Sequence, residues 1–150
     1  MSSLKEFLKK KDYHWTKLNP LPTNHLEVEV VLNGVPSSFI LDTGASATCI
    51  GIDFVEELGV IPSEETLVAA GAGNSEMEGH FSHDNILKIG SWKWKNMNLV
   101  LLDLSHVNGA LAKAGVSPIK GIIGADVLQK GDGVIDYNKL RLFLKTKIYK

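Results

Sequence analysis

The residues best placed to do chemistry are Asp42, Thr43 and Gly44, which put a carboxylate, a hydroxyl and a glycine in consecutive positions. They follow the apolar run 39–41, so a strand that buries this run would deliver Asp42 to its end. Gly44 permits a tight turn and a close approach by a bound molecule, and the Thr43 hydroxyl can bond to the turn. The pattern predicts a carboxylate held on a rigid loop. An ordinary acidic turn between strands has the same composition.

A hairpin is predicted to carry this loop. Residues 25–32 alternate between apolar and polar side chains, as a half-buried strand does. Asn33-Gly34 follows at once and is a strong signal for a two-residue hairpin turn. Residues 35–41 then return as the partner strand and end at Asp42. The acidic loop therefore hangs from the second arm of the hairpin.

Short apolar segments bounded by glycine or proline fill the rest of the chain. A short helix capped by Ser3 and an extended connector at 19–22 are expected before the hairpin. Helical turns are expected at 52–58, 105–115 and 125–129. Further strands are predicted at 48–50, 66–70, 76–81, 86–89, 92–94, 97–104, 119–124, 134–137 and 140–148. Many short strands with little helix indicate an all-β barrel or sandwich.

Size and charge limit the possible functions. The 150 residues favour one domain, and the net charge of -1 argues against a general attraction to nucleic acid or to an anionic membrane. That balance does not exclude a local basic patch. The single cysteine, Cys49, excludes an intrachain disulfide and is expected to be a small buried hydrophobe. The charged first residues lack the apolar centre of a secretory signal, and no apolar run is long enough to cross a membrane, so we expect a cytoplasmic protein. A chain whose export signal had been removed would show the same pattern.

Two other sequence patterns could suggest a bound ligand. His80 and His83 could bind a metal, but they would fall on opposite faces of a strand. The glycines at 71 and 73 could open a dinucleotide loop, but position 76, where the third glycine would stand, is Glu76. We therefore expect neither a metal nor a cofactor.

Two segments share one pattern, an apolar strand that runs into a glycine-containing loop. They are the strand that ends in Asp-Thr-Gly-Ala-Ser at 42–46, and Ile-Ile-Gly-Ala-Asp-Val-Leu at 122–128. With the glycine-tipped hairpin 66–81 between them, they resemble the retropepsin-like aspartic proteases, closest to the single-domain cellular and bacterial members. The resemblance covers residues 26–144. It implies an all-β, retropepsin-like acid-protease barrel with short helices. Residues 1–24 would then form an N-terminal helix and linker, and residues 25–150 the protease domain.

The resemblance also implies a function. The family cleaves peptide bonds with two carboxylates, and this chain has one Asp-Thr-Gly, so a homodimer would bring two copies of Asp42 together on a peptide or protein substrate. Thr43 would bond across the two-fold axis and Gly44 would receive substrate backbone. Hairpin 66–81 would be the flap. Further substrate-binding residues would be Ala45, Gly71, Ala72, Gly73 and Asn74.

Two residues and one long stretch affect how the resemblance applies to this chain. Asp126 is expected to make local backbone bonds and not to act in catalysis. Position 45 is Ala, where pepsin-like enzymes often have a hydroxyl, so activity is expected at mildly acidic to neutral pH. The stretch 104–118 is longer than in compact retroviral proteases. If it plugs the cleft, or if the chain stays monomeric, the protein would instead be a catalytically silent peptide-binding or assembly module of the same fold.

Overall fold

The computed structural model describes residues 3–70 and 76–146, with the backbone alone for residues 67–70 and 76–78. The helices in this part of the chain are short: α1 (Leu4–Lys9), α2 (Ser105–Lys113), α3 (Ala125–Lys130) and a 3-10 turn at Ile52–Phe54. The strands are β1 (Tyr13–Pro20), β2 (Leu26–Leu32), β3 (Val35–Leu41), β4 (Cys49–Gly51), β5 (Thr66–Ala70), β6 (Glu76–Ile89), β7 (Trp92–Leu102), β8 (Gly121–Ile123), β9 (Val134–Asp136) and β10 (Arg141–Lys145).

The strands form one sheet that closes on itself. Their order is β5-β6-β7-β4-β8-β3-β2-β1-β10-β9, and an additional pairing of β6 with β2 closes the six strands from β6 to β2 into a barrel. The barrel is mixed, because β3 runs parallel to β8 and β4 runs parallel to β7. The prediction of an all-β barrel with short helices is confirmed.

The barrel is filled by alternate side chains of its strands. In β2 the buried positions are every second residue, as the sequence pattern predicts, and Val28 and Leu32 are fully buried. They pack with residues such as Phe39, Leu87 and Leu99 in one large core cluster. Each such side chain stabilises the fold by about 1.5–3 kcal/mol. This core fixes β3, and β3 in turn fixes the position of Asp42.

The hairpin turn before β3 is anchored as well as formed. Asn33 and Gly34 have φ angles of 51° and 82°, the left-handed region that this two-residue turn requires. The Asn33 amide donates to the Leu58 and Gly59 carbonyls at 3.3 and 3.1 Å. Its oxygen accepts from the Ile86 N–H at 2.9 Å. Asn33 therefore both makes the turn and ties it to two neighbouring segments.

The N-terminal region departs from expectation. Ser3 caps α1 as predicted, accepting from the Glu6 N–H at 3.2 Å. Residues 13–20, however, form β1, which pairs with β10 and with β2. The predicted connector is therefore wrong at Asn19 and Pro20, since both belong to this strand. The division into residues 1–24 and 25–150 stays a prediction, although β1 hydrogen-bonds to strands on the other side of it.

Other boundaries also differ from the sequence expectation; the strands predicted at 92–94 and 97–104, for example, are one strand, β7. The helical turns predicted over 52–58 are limited to the 3-10 turn. The strands predicted at 76–81 and 86–89 are one strand, β6, which continues through register shifts between Ser82 and Leu87. Bulges of this kind bend a strand without ending it. In the described part of the chain no helix has the length and apolar character needed to span a membrane.

The long stretch 104–118 contains α2 and packs on the outside of the barrel. Leu111 of α2 and Ile119 pack against Ile40 of β3. The Ile40 side chain lies on the opposite face of β3 from that of Leu41. The Asn108 side chain donates to the Ile119 carbonyl at 3.1 Å and accepts from the Ile119 N–H at 2.7 Å. In this position α2 covers the outer face of β3 and β8.

Candidate active site

The loop at 42–44 is held by its own backbone. The Asp42 N–H donates to the Ile123 carbonyl at 2.9 Å, which extends the β3–β8 pairing by one bond. The Gly44 N–H donates to Asp42 Oδ1 at 2.9 Å, and the Ala45 N–H donates to the Asp42 carbonyl at 3.2 Å. Asp42, Thr43 and Gly44 are nevertheless exposed. The carboxylate is thus oriented by the loop and still open to a partner.

The segment after β8 passes directly behind this loop. The Ala125 N–H donates to the Ala45 carbonyl at 2.7 Å. A Cβ on Gly124 would lie 2.7 Å from the Ala45 carbonyl oxygen and 2.8 Å from that of Ala47. Only a glycine permits this approach without moving the backbone. The two glycine-containing segments that the sequence singled out are therefore in contact.

Thr48 and Asp126 join the two segments, and the sequence reasoning missed this pair. The Thr48 N–H donates to Asp126 Oδ2 at 3.0 Å, and the Thr48 hydroxyl donates to Oδ1 at 2.7 Å. The same hydroxyl accepts from the Gly124 N–H at 3.1 Å. Asp126 also accepts from the Val127 N–H at 2.8 Å, the local bond that was predicted. The signal available in the sequence was a threonine at the end of one loop and an aspartate just after the glycine of the other.

Replacing Thr48 by valine tests the hydrogen bonds of Thr48 to Asp126 and Gly124, which we call the clamp. Thr48 is fully buried, so Thr48→Val would leave the Gly124 N–H without its acceptor and would remove one of the two bonds that Asp126 Oδ1 accepts, while keeping the side-chain volume. We expect the free energy of unfolding to fall by about 1–3 kcal/mol. Denaturant unfolding measures this, with Thr16→Val, at a partly exposed position of β1, as the matched control. An equal effect at both positions would show that the clamp adds nothing.

Cys49 lies beside the clamp and is buried, as predicted. Its thiol donates to the Ala47 carbonyl at 3.2 Å. Burial, and then the negative charges of Asp126 and Asp42, raise the pKa of the thiol from 9.0 to about 11. The thiol is therefore neutral at physiological pH and belongs to the packing beneath the loop.

The raised pKa of Cys49 has a consequence for stability. In the unfolded chain the thiol loses its proton near pH 9.0, whereas in the folded chain it holds the proton up to about pH 11. The folded state therefore binds more protons between these values, and its stability falls as the pH rises through them. We expect a loss of about 2–3 kcal/mol from this group across that window. Unfolding at several pH values should show a steeper decline for the wild type than for Cys49→Ala; parallel declines would contradict the shift.

The predicted flap is described only in its lower part. Strands β5 and β6 pair from Thr66 with His80 to Ala70 with Glu76, so the hairpin between the two glycine segments exists. Its predicted substrate-binding residues lie outside the described residues: Gly71, Ala72, Gly73 and Asn74. Their role stays a prediction, as does that of Ala45.

The surface of a single chain is open around Asp42. Two depressions of about 520 and 550 Å³ lie elsewhere, and Ser37 and Ser38 of β3 line both of them. Across residues 3–70 and 76–146, no cluster of three or more His, Cys, Asp or Glu side chains could hold a metal ion. The nearby carboxylate of Asp126 is already bonded to Thr48. One chain thus presents one available carboxylate on an exposed loop.

The barrel and this loop define a class of protein, the retropepsin-like acid proteases, in which a strand ending in Asp-Thr-Gly is crossed by a second strand ending in glycine. A family model described as aspartyl protease matches residues 28–127. The chain belongs to this family. Comparison with curated proteins finds no match.

Solved structures agree on the fold. A retropepsin-like aspartic protease from Rickettsia conorii is similar at 18% identity and a TM-score of 0.54, covering 88% of this chain and 89% of that one. The retroviral protease-like domain of Ddi1 from Leishmania major has 16% identity and a TM-score of 0.57, covering 82% and 90%. EIAV protease, complexed with the inhibitor HBY-793, has 19% identity and a TM-score of 0.52, covering 69% and 84%. At such identities the likeness concerns the fold alone.

Proposed function

We propose that the protein is an aspartic endopeptidase that works as a homodimer, with one Asp42 from each chain. The observation that carries this proposal is the exposed but firmly held carboxylate of Asp42 on the Asp-Thr-Gly loop of a family member. One chain offers one such group, and hydrolysis of a peptide by this chemistry needs two. Two-fold symmetry supplies the second when the two loops face each other.

The chemistry follows from the proximity of two identical acids. Two carboxylates this close cannot both ionise, so they share one proton; the aspartic protease pair is itself the standard example of this behaviour. The ionised Asp42 takes a proton from water, and the oxygen of that water bonds to the peptide carbonyl carbon. The protonated Asp42 gives its proton to the carbonyl oxygen. When the C–N bond breaks, the Asp42 that deprotonated the water gives that proton to the leaving nitrogen. The other Asp42 takes a proton from one hydroxyl of the intermediate, so the second product is a carboxylic acid and the pair again holds one proton.

The substrate is proposed to be an extended segment of a peptide or protein. The hairpin of β5 and β6, in which Thr66 pairs with His80, would act as the flap over such a segment, and its closure would exclude water from the reaction. Hydrogen bonds to the backbone of an extended substrate would give affinity that depends little on the substrate sequence. Pockets for its side chains would determine which sequences are preferred.

The experiment that tests this proposal compares mass and activity at the same concentrations. Analytical ultracentrifugation gives the fraction of dimer, and cleavage of a peptide library gives the rate per chain. We expect the rate per chain to rise with the dimer fraction. A strictly monomeric protein that cleaves, or a stable dimer that cleaves nothing, would contradict the proposal; the second result would favour the silent binding module.

The residue after Gly44 is expected to set the pH of activity. Ala45 has no hydroxyl that could donate to the ionised carboxylate of the pair, so that charged form lacks one source of stabilisation. We expect activity to be highest at mildly acidic to neutral pH. In Ala45→Ser an added hydroxyl should move the acidic limb of the kcat/KM profile to lower pH. An optimum in strong acid for the unaltered protein would contradict this.

A further inference from the structure

A surface away from Asp42 combines basic and apolar side chains. Leu4 and Phe7 on α1 and Trp15 on β1 are 42%, 49% and 42% exposed. Single exposed apolar residues are common, but a group of them marks a surface that can bind a partner. The basic residues interleaved with them belong to α1, to the turn after it and to β10. We call this surface the N-terminal face; it comprises Leu4, Lys5, Phe7, Lys9, Lys10, Lys11, Trp15 and Arg141.

Cation–ring contacts form two groups within this face, one around Trp15 and one around Phe7. The Lys5 ammonium lies 5.2 Å from the centre of the Trp15 ring, and the Arg141 guanidinium lies 4.5 Å from it. The Lys11 ammonium lies 5.2 Å from the Phe7 ring. A cleft of about 260 Å³ between α1 and the sheet is lined by Lys5, Lys9, Tyr13, His14, Trp15, Ser91 and Phe143. The helix, β1 and β10 thus share one surface, and the buried Leu8 holds α1 onto it.

The charge of this face differs from that of the whole chain. The first 17 residues hold five lysines and two acidic residues, whereas the complete chain has a net charge of -1. The acidic residues nearby are Glu6 on α1, Asp12 in the turn that follows and Asp136, which lies opposite Arg141 in the β9–β10 pair. The overall charge, which argued against an anionic partner, therefore hides a local concentration of positive charge.

We propose that the N-terminal face docks on the surface of a bilayer that contains anionic lipids. Lysines next to exposed Leu, Phe and Trp side chains match the two parts of such a surface, charged headgroups above and acyl chains below. Nucleic acid fits less well, because single strands bind by stacking bases on aromatic rings and two cations already lie over the Trp15 ring. Leu4 and the exposed edge of Phe7 would add to lipid binding and nothing to phosphate recognition.

The docking can be measured with the intact protein and large unilamellar vesicles of phosphatidylcholine. One set of vesicles also contains about 30–40% phosphatidylglycerol, an anionic lipid that makes the surface attract basic residues strongly. We expect cosedimentation with the anionic vesicles, loss of binding at about 0.5 M salt, and a blue shift of tryptophan emission. Trp92 is 5% exposed and Trp94 is partly buried against the core, so the shift should come chiefly from Trp15, the most exposed of the three tryptophans. Trp15→Phe should reduce the blue shift of the emission more than it reduces the fraction of protein bound to the vesicles.

Charge-reversal variants test whether vesicle binding depends on the lysines of the N-terminal face or only on the total charge of the protein. The variant Lys9→Glu, Lys10→Glu and Lys11→Glu should lower partitioning at least about a hundredfold. The matched control Lys95→Glu, Lys113→Glu and Lys139→Glu, which changes three exposed lysines elsewhere by the same charge, should lower it far less. Leu4→Ser with Phe7→Ser should weaken binding with no change of charge, and both positions are exposed, so folding is not at risk.

The proposal would be overturned if the protein did not sediment with the anionic vesicles, or if it bound vesicles without phosphatidylglycerol equally well. It would also be overturned if both charge-reversal variants lost the same fraction of vesicle binding. Tighter binding to an RNA oligonucleotide or to polyglutamate than to the anionic vesicles would overturn it as well. Asp42→Asn should bind vesicles as the wild type does, so the result is independent of whether the protein cleaves peptides.

Discussion

Asp42→Asn is expected to abolish peptide cleavage while leaving the fold and the dimer in place. The amide oxygen can still accept the Gly44 N–H bond that Asp42 Oδ1 accepts at 2.9 Å, so the loop keeps its shape. The amide cannot take a proton from water, and it cannot share one with the opposite chain. Loss of this acid–base function should lower kcat/KM at least about a thousandfold. Initial rates on a cleaved peptide measure the effect.

The matched control for this variant is Asp53→Asn. Asp53 is also an exposed aspartate, at the 3-10 turn that follows β4, and it should tolerate the change with activity close to that of the wild type. Equal loss in both variants would point to a general effect of charge. Full activity in Asp42→Asn would mean that another group, or a contaminating protease, performs the cleavage.

Gly124→Ala is expected to have the largest effect on the loop among changes that add a single methyl group. The new Cβ would meet the Ala45 and Ala47 carbonyl oxygens at 2.7 and 2.8 Å, both of them backbone atoms that cannot turn aside. Relief requires the loop and the segment after β8 to separate. We expect about 1–3 kcal/mol of destabilisation and a fall in activity of about a hundredfold or more, because the carboxylate moves with the loop.

Gly109→Ala is the control for this change. Gly109 lies in α2, and a Cβ there meets nothing within 4 Å. Alanine favours a helix over glycine by about 0.5–1 kcal/mol, so this variant should be as stable as the wild type or more so. Denaturant unfolding of both variants gives the comparison. A Gly124→Ala protein with unchanged stability and activity would show that the crossing behind the loop is looser than these distances imply.

Much of the fold follows from local patterns. The alternation in β2, the Asn33-Gly34 turn and the return in β3 are short-range features, and each is formed as the sequence predicts. The three apolar residues before position 42 are buried at the end of β3, so Asp42 is the first residue after the strand. Local rules of strand and turn chemistry are enough to place the candidate carboxylate.

What the sequence does not reveal depends on distant partners. Residues 13–20 have no clear alternation, and β1 forms because β2 and β10 offer edges on both sides. Thr48 and Asp126 are 78 positions apart, so their bond becomes visible only when the barrel brings the two segments together. The separate signals at 76–81 and 86–89 merge because bulges let one strand bend. Pairing at long range decides each of these cases.

The most direct test of the central claim is a mixing experiment. Wild-type and Asp42→Asn chains are unfolded together in equal amounts, refolded, and assayed at constant total concentration. If each active centre needs one Asp42 from each chain, random pairing leaves about one quarter of the dimers active, and about one quarter of the wild-type rate is expected. A rate near one half would mean that each chain works alone, which would contradict a shared active centre.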